Sequence, residues 1–172
     1  MMKRTYFSPI KLYTDASLIK QLGIGCYMQN SLVGAFHIDE NMQKKYDTNR
    51  AELAAIYCGL LLAPTGSGNI EVFTDSLTAL QLINGNFKHV KYDSLVNCVK
   101  YVADKKFINV NYRKVKAHTG VYGNEIAHIL ARAGAQLNSK QFHVPCFGDD
   151  IEVLVKENIH KNSLIHDIIF CL

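Results

Sequence analysis

The segment Ile70-Glu71-Val72-Phe73-Thr74-Asp75-Ser76 is rich in β-branched and aromatic residues and ends in an acid and a serine. This composition predicts a β-strand over Ile70–Thr74, with Asp75 just beyond its end. The same arrangement occurs near the start of the chain, where a predicted strand over Ile10–Thr14 is followed by Asp15. Strands joined through a helical crossover tend to be parallel, so both acids are expected at one edge of an α/β sheet.

The remaining elements predict a mixed five-stranded sheet flanked by helices. Strands over Ile24–Met28 and Ser31–Ile38 are expected to pair through a two-residue turn at Gln29-Asn30. A helix over Ala51–Ala63 has apolar residues at helical spacing and carries Glu52 in its first turn. Ligands of open α/β sheets bind at the edge where strands end, which is also where this helix begins. The later elements are a helix over Leu77–Ile83, a helix from near Asp93, a strand over Ile108–Val115 and a helix over Asn124–Leu137.

Three acids at this edge each have an ordinary structural explanation. Asp15 could be a turn residue, and Asp75 could cap the helix after it. Asn49 and Glu52 could form a capping box at the start of their helix. Taken together, however, Asp15, Glu52 and Asp75 would repel one another, and a hard cation such as Mg²⁺ or Mn²⁺ would stabilise them. The pattern therefore predicts a metal site built from these three carboxylates.

Four motifs carry a family resemblance. In chain order they are Tyr13-Thr14-Asp15-Ala16-Ser17, Thr48-Asn49-Arg50-Ala51-Glu52-Leu53, Phe73-Thr74-Asp75-Ser76, and Val115-Lys116-Ala117-His118-Thr119-Gly120 with Gly123-Asn124-Glu125. With these motifs the chain resembles, over roughly residues 8–137, ribonuclease H type 1, including the RNase H domains of reverse transcriptases. The resemblance implies an RNase H-like fold and endonucleolytic cleavage of the RNA strand of RNA/DNA hybrids, leaving 3′-hydroxyl and 5′-phosphate ends.

The resemblance also implies roles for single residues and a metal cofactor. Asp15 would bridge two metal ions, Mg²⁺ or Mn²⁺, while Glu52 and Asp75 would hold the second ion. Glu52 would also contact a 2′-hydroxyl of the RNA. His118 would lie on a mobile loop and assist proton movement or product release. The implied partner is the RNA/DNA hybrid, and no small-molecule cofactor is implied.

His128 is the main departure from the family pattern, which usually has a fourth acid at this position. On a helical wheel His128 borders a stripe of small residues, so we expect it to face the site and to act as a catalytic metal ligand. The alternative is a solvated histidine on the helix surface. Because imidazole is a softer ligand than a carboxylate, the substitution leads to the hypothesis that activity survives with a preference for Mn²⁺ over Mg²⁺.

Polar and basic residues around the acids are candidate contacts to the hybrid. Side chains near Glu52 could read the 2′-hydroxyls that distinguish RNA from DNA, and lysines could contact phosphates. The ordinary alternatives are helix capping and solvated basic faces. The candidates are Ser17, Thr48, Asn49, Arg50, Ser76, Lys88, Lys91, Lys116 and Asn124.

Composition limits the class of protein. The 172 residues are 48% hydrophobic and 20% charged with a net charge of +4, which fits one globular domain and permits a polyanionic partner. No apolar run suits a membrane span or signal peptide, and the five unevenly spaced cysteines show no metal or disulfide pattern. We therefore expect a monomer in a reducing, cytoplasmic compartment. The expected division is a catalytic domain over 1–137 and an extension over 138–172, which packs on the core or, alternatively, forms a partner contact.

Three functions remain open from the sequence. The first is a metal-dependent ribonuclease H. The second is a noncatalytic domain of the same fold that binds or scaffolds hybrids, an alternative suggested by His128. The third is another metal-dependent nuclease of this fold, because fold alone does not determine the substrate.

Overall fold

The computed structural model describes residues 8–18, 22–29, 32–38, 47–135, 139–146 and 149–156, with side chains for 8–18, 22–29 and 47–135. Its strands form one mixed sheet, ordered β5-β4-β1-β2-β3-β7-β6. β4 is parallel to β1 and β5, and the other pairs are antiparallel. The α/β class is therefore confirmed. The strands are β1 (Ile10–Leu18), β2 (Leu22–Met28), β3 (Leu32–Ile38), β4 (Gly68–Thr74), β5 (Ile108–Lys114), β6 (Ser139–Cys146) and β7 (Asp149–Lys156).

The predicted count of five strands is wrong, because the described sheet has seven. The five expected strands are present, and two more come from the segment after residue 138. β6 and β7 form a hairpin, and β7 pairs with the edge of β3, where Phe36 lies opposite Val155. The apolar segment 163–172 lies outside the described residues, and the domain boundary at residue 137 stays a prediction.

Four helices of the described chain cover the two faces of the sheet. α1 packs on β1 and β2, and α3 packs on α1, whereas α4 crosses β1, β2 and β3. Leu12 of β1 contacts Gly59 of α1, while the next residue, Tyr13, contacts Gly123 of α4. Alternation along β1 therefore places α1 and α4 on opposite faces, with the main core on the α1 side. The helices are α1 (Thr48–Leu62), α2 (Leu77–Ile83), α3 (Val90–Lys105) and α4 (Tyr122–Gly134).

Strand pairing corrects two predicted boundaries. Asp15 was expected after the first strand, but β1 continues to Leu18 because it stays paired with β2 as far as Leu22. Pairing of β1 with β4 ends earlier, at Tyr13 opposite Phe73, so Asp15 still lies where β4 leaves the sheet. The β2–β3 register pairs Met28 with Leu32, which leaves three residues between the strands rather than the predicted two.

Helix starts also differ from the predicted ones. α3 begins at Val90 rather than near Asp93, and the His89 ring accepts a hydrogen bond from the Lys91 amide at 3.3 Å. α4 begins at Tyr122, so Asn124 is its third residue and not its first. Both helices start earlier than expected because short polar or glycine-bearing segments before them are already helical.

Two further observations concern the expected surroundings of the protein. No helix among the described residues is long and apolar enough to cross a membrane. Cys26 and Cys58 are buried free thiols, whereas Cys98 is disulfide-bonded, and the reducing compartment stays a prediction.

Candidate active site

Three carboxylates converge at the edge of the sheet where β4 ends. Asp15 projects from β1, Asp75 follows β4 directly, and Glu52 lies in the second turn of α1. One oxygen of each lies within 4.8 Å of the others. Asp15 and Glu52 are buried, with 4% and 5% of their surfaces exposed, and Asp75 is half-buried.

Asp75 is available to this cluster because its neighbour caps the following helix. Ser76 is the N-cap of α2, and its hydroxyl oxygen accepts a hydrogen bond from the Ala79 amide at 3.1 Å. The Ser76 amide donates to the Thr74 hydroxyl at 3.1 Å. The alternative in which Asp75 caps α2 is therefore wrong.

Glu52 is likewise free of the capping box expected for it. The N-cap of α1 is Asp47 and not Asn49, and its Oδ1 atom accepts a hydrogen bond from the Arg50 amide at 2.9 Å. Helix α1 therefore starts one residue before Asn49 and carries Glu52 inward. The Oε2 atom of Glu52 is buried without a hydrogen-bond partner among the described residues.

Burial and mutual repulsion make this cluster unfavourable when it is fully ionised. Burial raises the pKa of Glu52 well above its usual value, and the charges of Asp15 and Asp75 add to the effect. Burial also raises the pKa of Asp15, as does the charge of Asp75, although a hydrogen bond with His128 opposes the shift. A divalent cation would offset this repulsion and coordinate the unpartnered oxygen of Glu52, so the donor set fits a hard metal ion.

Two glycines of β2 bring helix α4 unusually close to the sheet. A Cβ atom on Gly25 would lie 2.0 Å from the Ala127 carbonyl oxygen, and one on Gly23 would lie 2.0 Å from that of Ala131. Gly25 is the cross-strand neighbour of Asp15. The close approach therefore places the next residue of α4, His128, directly beside Asp15.

His128 contacts the acidic cluster through its imidazole ring. Its Nδ1 atom lies 2.7 Å from Oδ2 of Asp15, and 31% of its side chain is exposed. The structure thus places His128 facing the cluster, and the solvated alternative does not hold.

His118 lies at the rim of the site beside His128. Their ring centroids are 5.1 Å apart and nearly perpendicular. His118 has a positive φ of 53°, and it is exposed in the loop between β5 and α4. This loop is held against the end of β4, because Lys114 donates from Nζ to the carbonyl oxygen of Asp75 at 2.7 Å.

A sequence profile of the RNase H family matches residues 8–136. The chain belongs to the RNase H family. A solved structure with the same fold is the N-terminal RNase H domain of Rv2228c from Mycobacterium tuberculosis, determined as a fusion with maltose-binding protein. The two are 20% identical with a TM-score of 0.53, over 73% of this chain and 96% of that one. No curated protein sequence matches the chain significantly.

The candidate hybrid contacts of this RNase H chain are spread around the acidic cluster. Thr48, Asn49 and Arg50 form the first turn of α1, just before Glu52, while Ser17 lies in β1 two residues after Asp15 and Ser76 directly follows Asp75. Lys116 is exposed just before His118, and Lys88 is exposed just before α3. Lys91 is exposed but pairs with Asp47, and Asn124 is buried with an unpartnered Oδ1 atom.

Asp47 and Tyr92 form a contact at the start of the helix that carries Glu52, and sequence reasoning missed it. The Tyr92 hydroxyl donates to Oδ2 of Asp47 at 3.0 Å, which joins the start of α3 to the start of α1. A signal for Asp47 was present, since Asp-Thr-Asn at 47–49 offers three successive N-cap residue types. No local pattern indicates the pairing with Tyr92, because the two residues are far apart in sequence.

Proposed function

We propose that this RNase H family protein is a ribonuclease H, an endonuclease that hydrolyses the RNA strand of RNA/DNA hybrids. The observation that carries the proposal is the buried cluster of Asp15, Glu52 and Asp75 at the strand ends, with one oxygen of Glu52 unpartnered. A domain that only binds nucleic acid gains nothing from carboxylates that repel phosphates. A metal-dependent nuclease requires them.

The residues that would hold divalent cations are Asp15, Glu52, Asp75 and His128. Two ions are expected, Mg²⁺ or Mn²⁺, and such ions supply an activated water and stabilise negative charge on the phosphate. Asp15 is central because it contacts His128 and also has an oxygen within 4.8 Å of an oxygen of each of the other two carboxylates. The softer imidazole of His128, in place of a carboxylate, supports a preference for Mn²⁺.

His118 is proposed to handle a proton at the leaving group. Products with 3′-hydroxyl ends require a proton on the departing 3′-oxygen. The exposed imidazole of His118, beside His128, is suited to donate it or to help release the product. His118 is exposed, so its ring is accessible to a bound substrate.

Hybrid recognition is proposed to depend on the start of α1 and the surrounding lysines. Thr48, Asn49 and Arg50 come just before Glu52, and their polar groups would contact 2′-hydroxyls in the minor groove. The remaining candidates contribute hydroxyl, amide or charged contacts to phosphates, so binding should weaken steeply with salt. They are Ser17, Ser76, Lys88, Lys116 and Asn124, whereas the ammonium of Lys91 is already paired with Asp47. The protein is expected to act as a monomer in the cytoplasm, and both points stay predictions.

Two other functions are tested by the same substrate panel. The first alternative is a noncatalytic hybrid-binding domain, which the histidine at position 128 suggests because it replaces the usual acid. The second is another metal-dependent nuclease, with which the fold is also compatible. Purified protein would be incubated with an RNA/DNA hybrid, single-stranded RNA, duplex RNA and duplex DNA. We expect cleavage of the hybrid alone. Hybrid binding without cleavage would indicate the binding domain, and cleavage of duplex DNA would indicate the other nuclease.

A further inference from the structure

Asp47, at the start of α1, receives hydrogen bonds from three groups. Its Oδ1 atom accepts from the Arg50 amide of α1 at 2.9 Å. Its Oδ2 atom accepts from the Tyr92 hydroxyl at 3.0 Å and forms an ion pair with the Lys91 ammonium. One carboxylate thus caps α1 and ties it to the first turn of α3.

The three contacts differ in exposure. Tyr92 is buried, with 6% of its surface exposed, so its hydroxyl has a fixed position. The ion pair with Lys91 is exposed, and such a pair contributes little by itself. Burial opposes the charge of Asp47, but the bonds from Lys91, the Arg50 amide and Tyr92 outweigh it and keep the pKa of Asp47 below its usual value.

Glu52 follows Asp47 by five residues on the same rigid helix. A shift at the start of α1 therefore moves the Glu52 carboxylate relative to Asp15 and Asp75. Misplacing a catalytic group by about 1 Å can lower a rate by about a hundredfold. Contacts that hold the start of α1 in place therefore help to fix the position of the Glu52 carboxylate in the acidic cluster.

We infer that Tyr92 and Lys91 are positioning residues that act on Glu52 through Asp47, and that Lys91 does not serve as a phosphate contact. The inference rests on the proposed ribonuclease activity and assigns a role within it to the junction of α1 and α3. Lys88 lies three residues before Lys91, is exposed, and remains the phosphate candidate of this segment.

The two roles for Lys91 predict different responses to salt and different kinetics. A lysine that contacts a phosphate contributes about 0.9 to the slope of log binding constant against log salt concentration. A positioning residue leaves that slope unchanged and lowers kcat. Tyr92 carries no charge, so Tyr92→Phe can alter kcat through Asp47 but cannot alter the salt slope.

The test compares Lys91→Met, Tyr92→Phe, Asp47→Asn and the Lys91→Met/Asp47→Asn double variant with the wild type. Lys91→Arg is the rescue variant, Lys88→Met the phosphate-contact comparison, and Lys100→Met a control on the exposed side of α3. The readouts are kcat and KM on an RNA/DNA hybrid, the salt slope of hybrid binding, and amide exchange at Arg50 and Ala51 without hybrid.

We expect Tyr92→Phe to lower kcat by about tenfold and Lys91→Met by about two- to fivefold, with unchanged salt slopes. The double variant should be no slower than Asp47→Asn, because both changes break the same contact. Lys91→Arg should retain kcat, and Lys88→Met should reduce the slope by about one. Exchange at the start of α1 should be faster in the Lys91, Tyr92 and Asp47 variants and unchanged in Lys100→Met.

A reduced salt slope in Lys91→Met with normal kcat, and tighter hybrid binding by Asp47→Asn, would overturn the inference. If the wild type neither binds nor cleaves hybrids, the proposed function fails, and amide exchange then decides the inference alone. Faster exchange at Arg50 and Ala51 in Tyr92→Phe would support the inference that Tyr92 holds the start of α1 through Asp47. Unchanged exchange would overturn it.

Discussion

The Nδ1 atom of His128 lies 2.7 Å from Oδ2 of Asp15 and joins α4 to β1 inside the acidic cluster. The contact depends on Gly25, whose missing side chain lets α4 approach the sheet. One oxygen of the central carboxylate is therefore engaged by an imidazole of the chain itself. This histidine stands where the RNase H pattern usually has a fourth acid, so metal selection should depend on it.

Replacing His128 should change the metal preference of the proposed ribonuclease activity. His128→Asp supplies a harder ligand, so we expect the ratio of the Mg²⁺ rate to the Mn²⁺ rate to rise. His128→Ala removes the contact with Asp15 and should lower activity by about tenfold or more in both metals. Initial rates of hybrid cleavage in each metal measure both effects. Equal wild-type rates in the two metals, with no change in His128→Ala, would refute the metal role of His128.

Glu52→Gln should stabilise the metal-free protein while destroying activity. At a pH above the raised pKa of Glu52, the substitution removes a charge that burial and two neighbouring carboxylates disfavour, so the free energy of unfolding should rise there by about 1–3 kcal/mol. Urea unfolding in chelator measures this. Glu71→Gln is the control, because Glu71 pairs with Arg113 outside the cluster and should give no gain. A Glu52→Gln protein less stable than wild type in chelator would contradict the claim that the charge of Glu52 destabilises the metal-free protein.

The free energy of unfolding of the metal-free protein should fall as pH rises. A protein whose carboxylates are paired with cations shows the opposite dependence. Glu52 and Asp15 have pKa values raised in the folded state, so the folded protein binds more protons than the unfolded chain. The contribution of these two carboxyl groups to the free energy of unfolding is fully present below their pKa values in the unfolded chain. It is lost as the pH rises through their raised pKa values in the folded protein. Unfolding free energies in chelator between mildly acidic and neutral pH test this. The dependence should be weaker in Glu52→Gln and in saturating Mg²⁺, and equal slopes in all three cases would contradict it.

Gly25→Ala should disturb both the fold and the site. The added Cβ would lie 2.0 Å from the Ala127 carbonyl oxygen and 2.5 Å from the Ala131 amide nitrogen, and neither backbone atom can yield easily. We expect a loss of about 3 kcal/mol of stability and a lower rate, because α4 must move His128 away from Asp15. Gly85→Asn is the control, since no atom lies within 4 Å of its Cβ position and its cost is only the backbone strain of a φ of 76°, which is smaller for Asn than for most residues. Its thermal midpoint should fall less than that of Gly25→Ala.

The architecture and the acidic edge were predictable because both follow from local patterns. Predicted strands that end in Asp15 and Asp75, with a helix between them, already implied parallel strands and one shared edge. The boundaries were less predictable, since each is decided by contacts between distant residues. Asp47 prevails over Asn49 as the cap of α1 because Tyr92 and Lys91 also bind its carboxylate.

Other features depend on contacts between distant residues. β1 extends past Asp15 because β2 remains its partner, which depends on the β2 register and not on residues 15–18. The segment Ile151–Val155 of β7 does alternate like a strand, but no local pattern indicates that it pairs with β3. The Asp47–Tyr92 bond likewise requires the packed arrangement of α1 and α3. Sequence reasoning thus identified the residues at the site better than the contacts that hold them.

The most direct test of the central claim uses a hybrid labelled at the 5′ end of its RNA strand. Wild type and Asp75→Asn would be compared in Mg²⁺, in Mn²⁺ and in chelator, with hybrid binding measured alongside. We predict RNA fragments with 3′-hydroxyl ends from the wild type in the presence of metal, and none from Asp75→Asn or in chelator. Intact RNA in both metals despite normal binding, or cleavage that persists in Asp75→Asn or in chelator, would contradict the account.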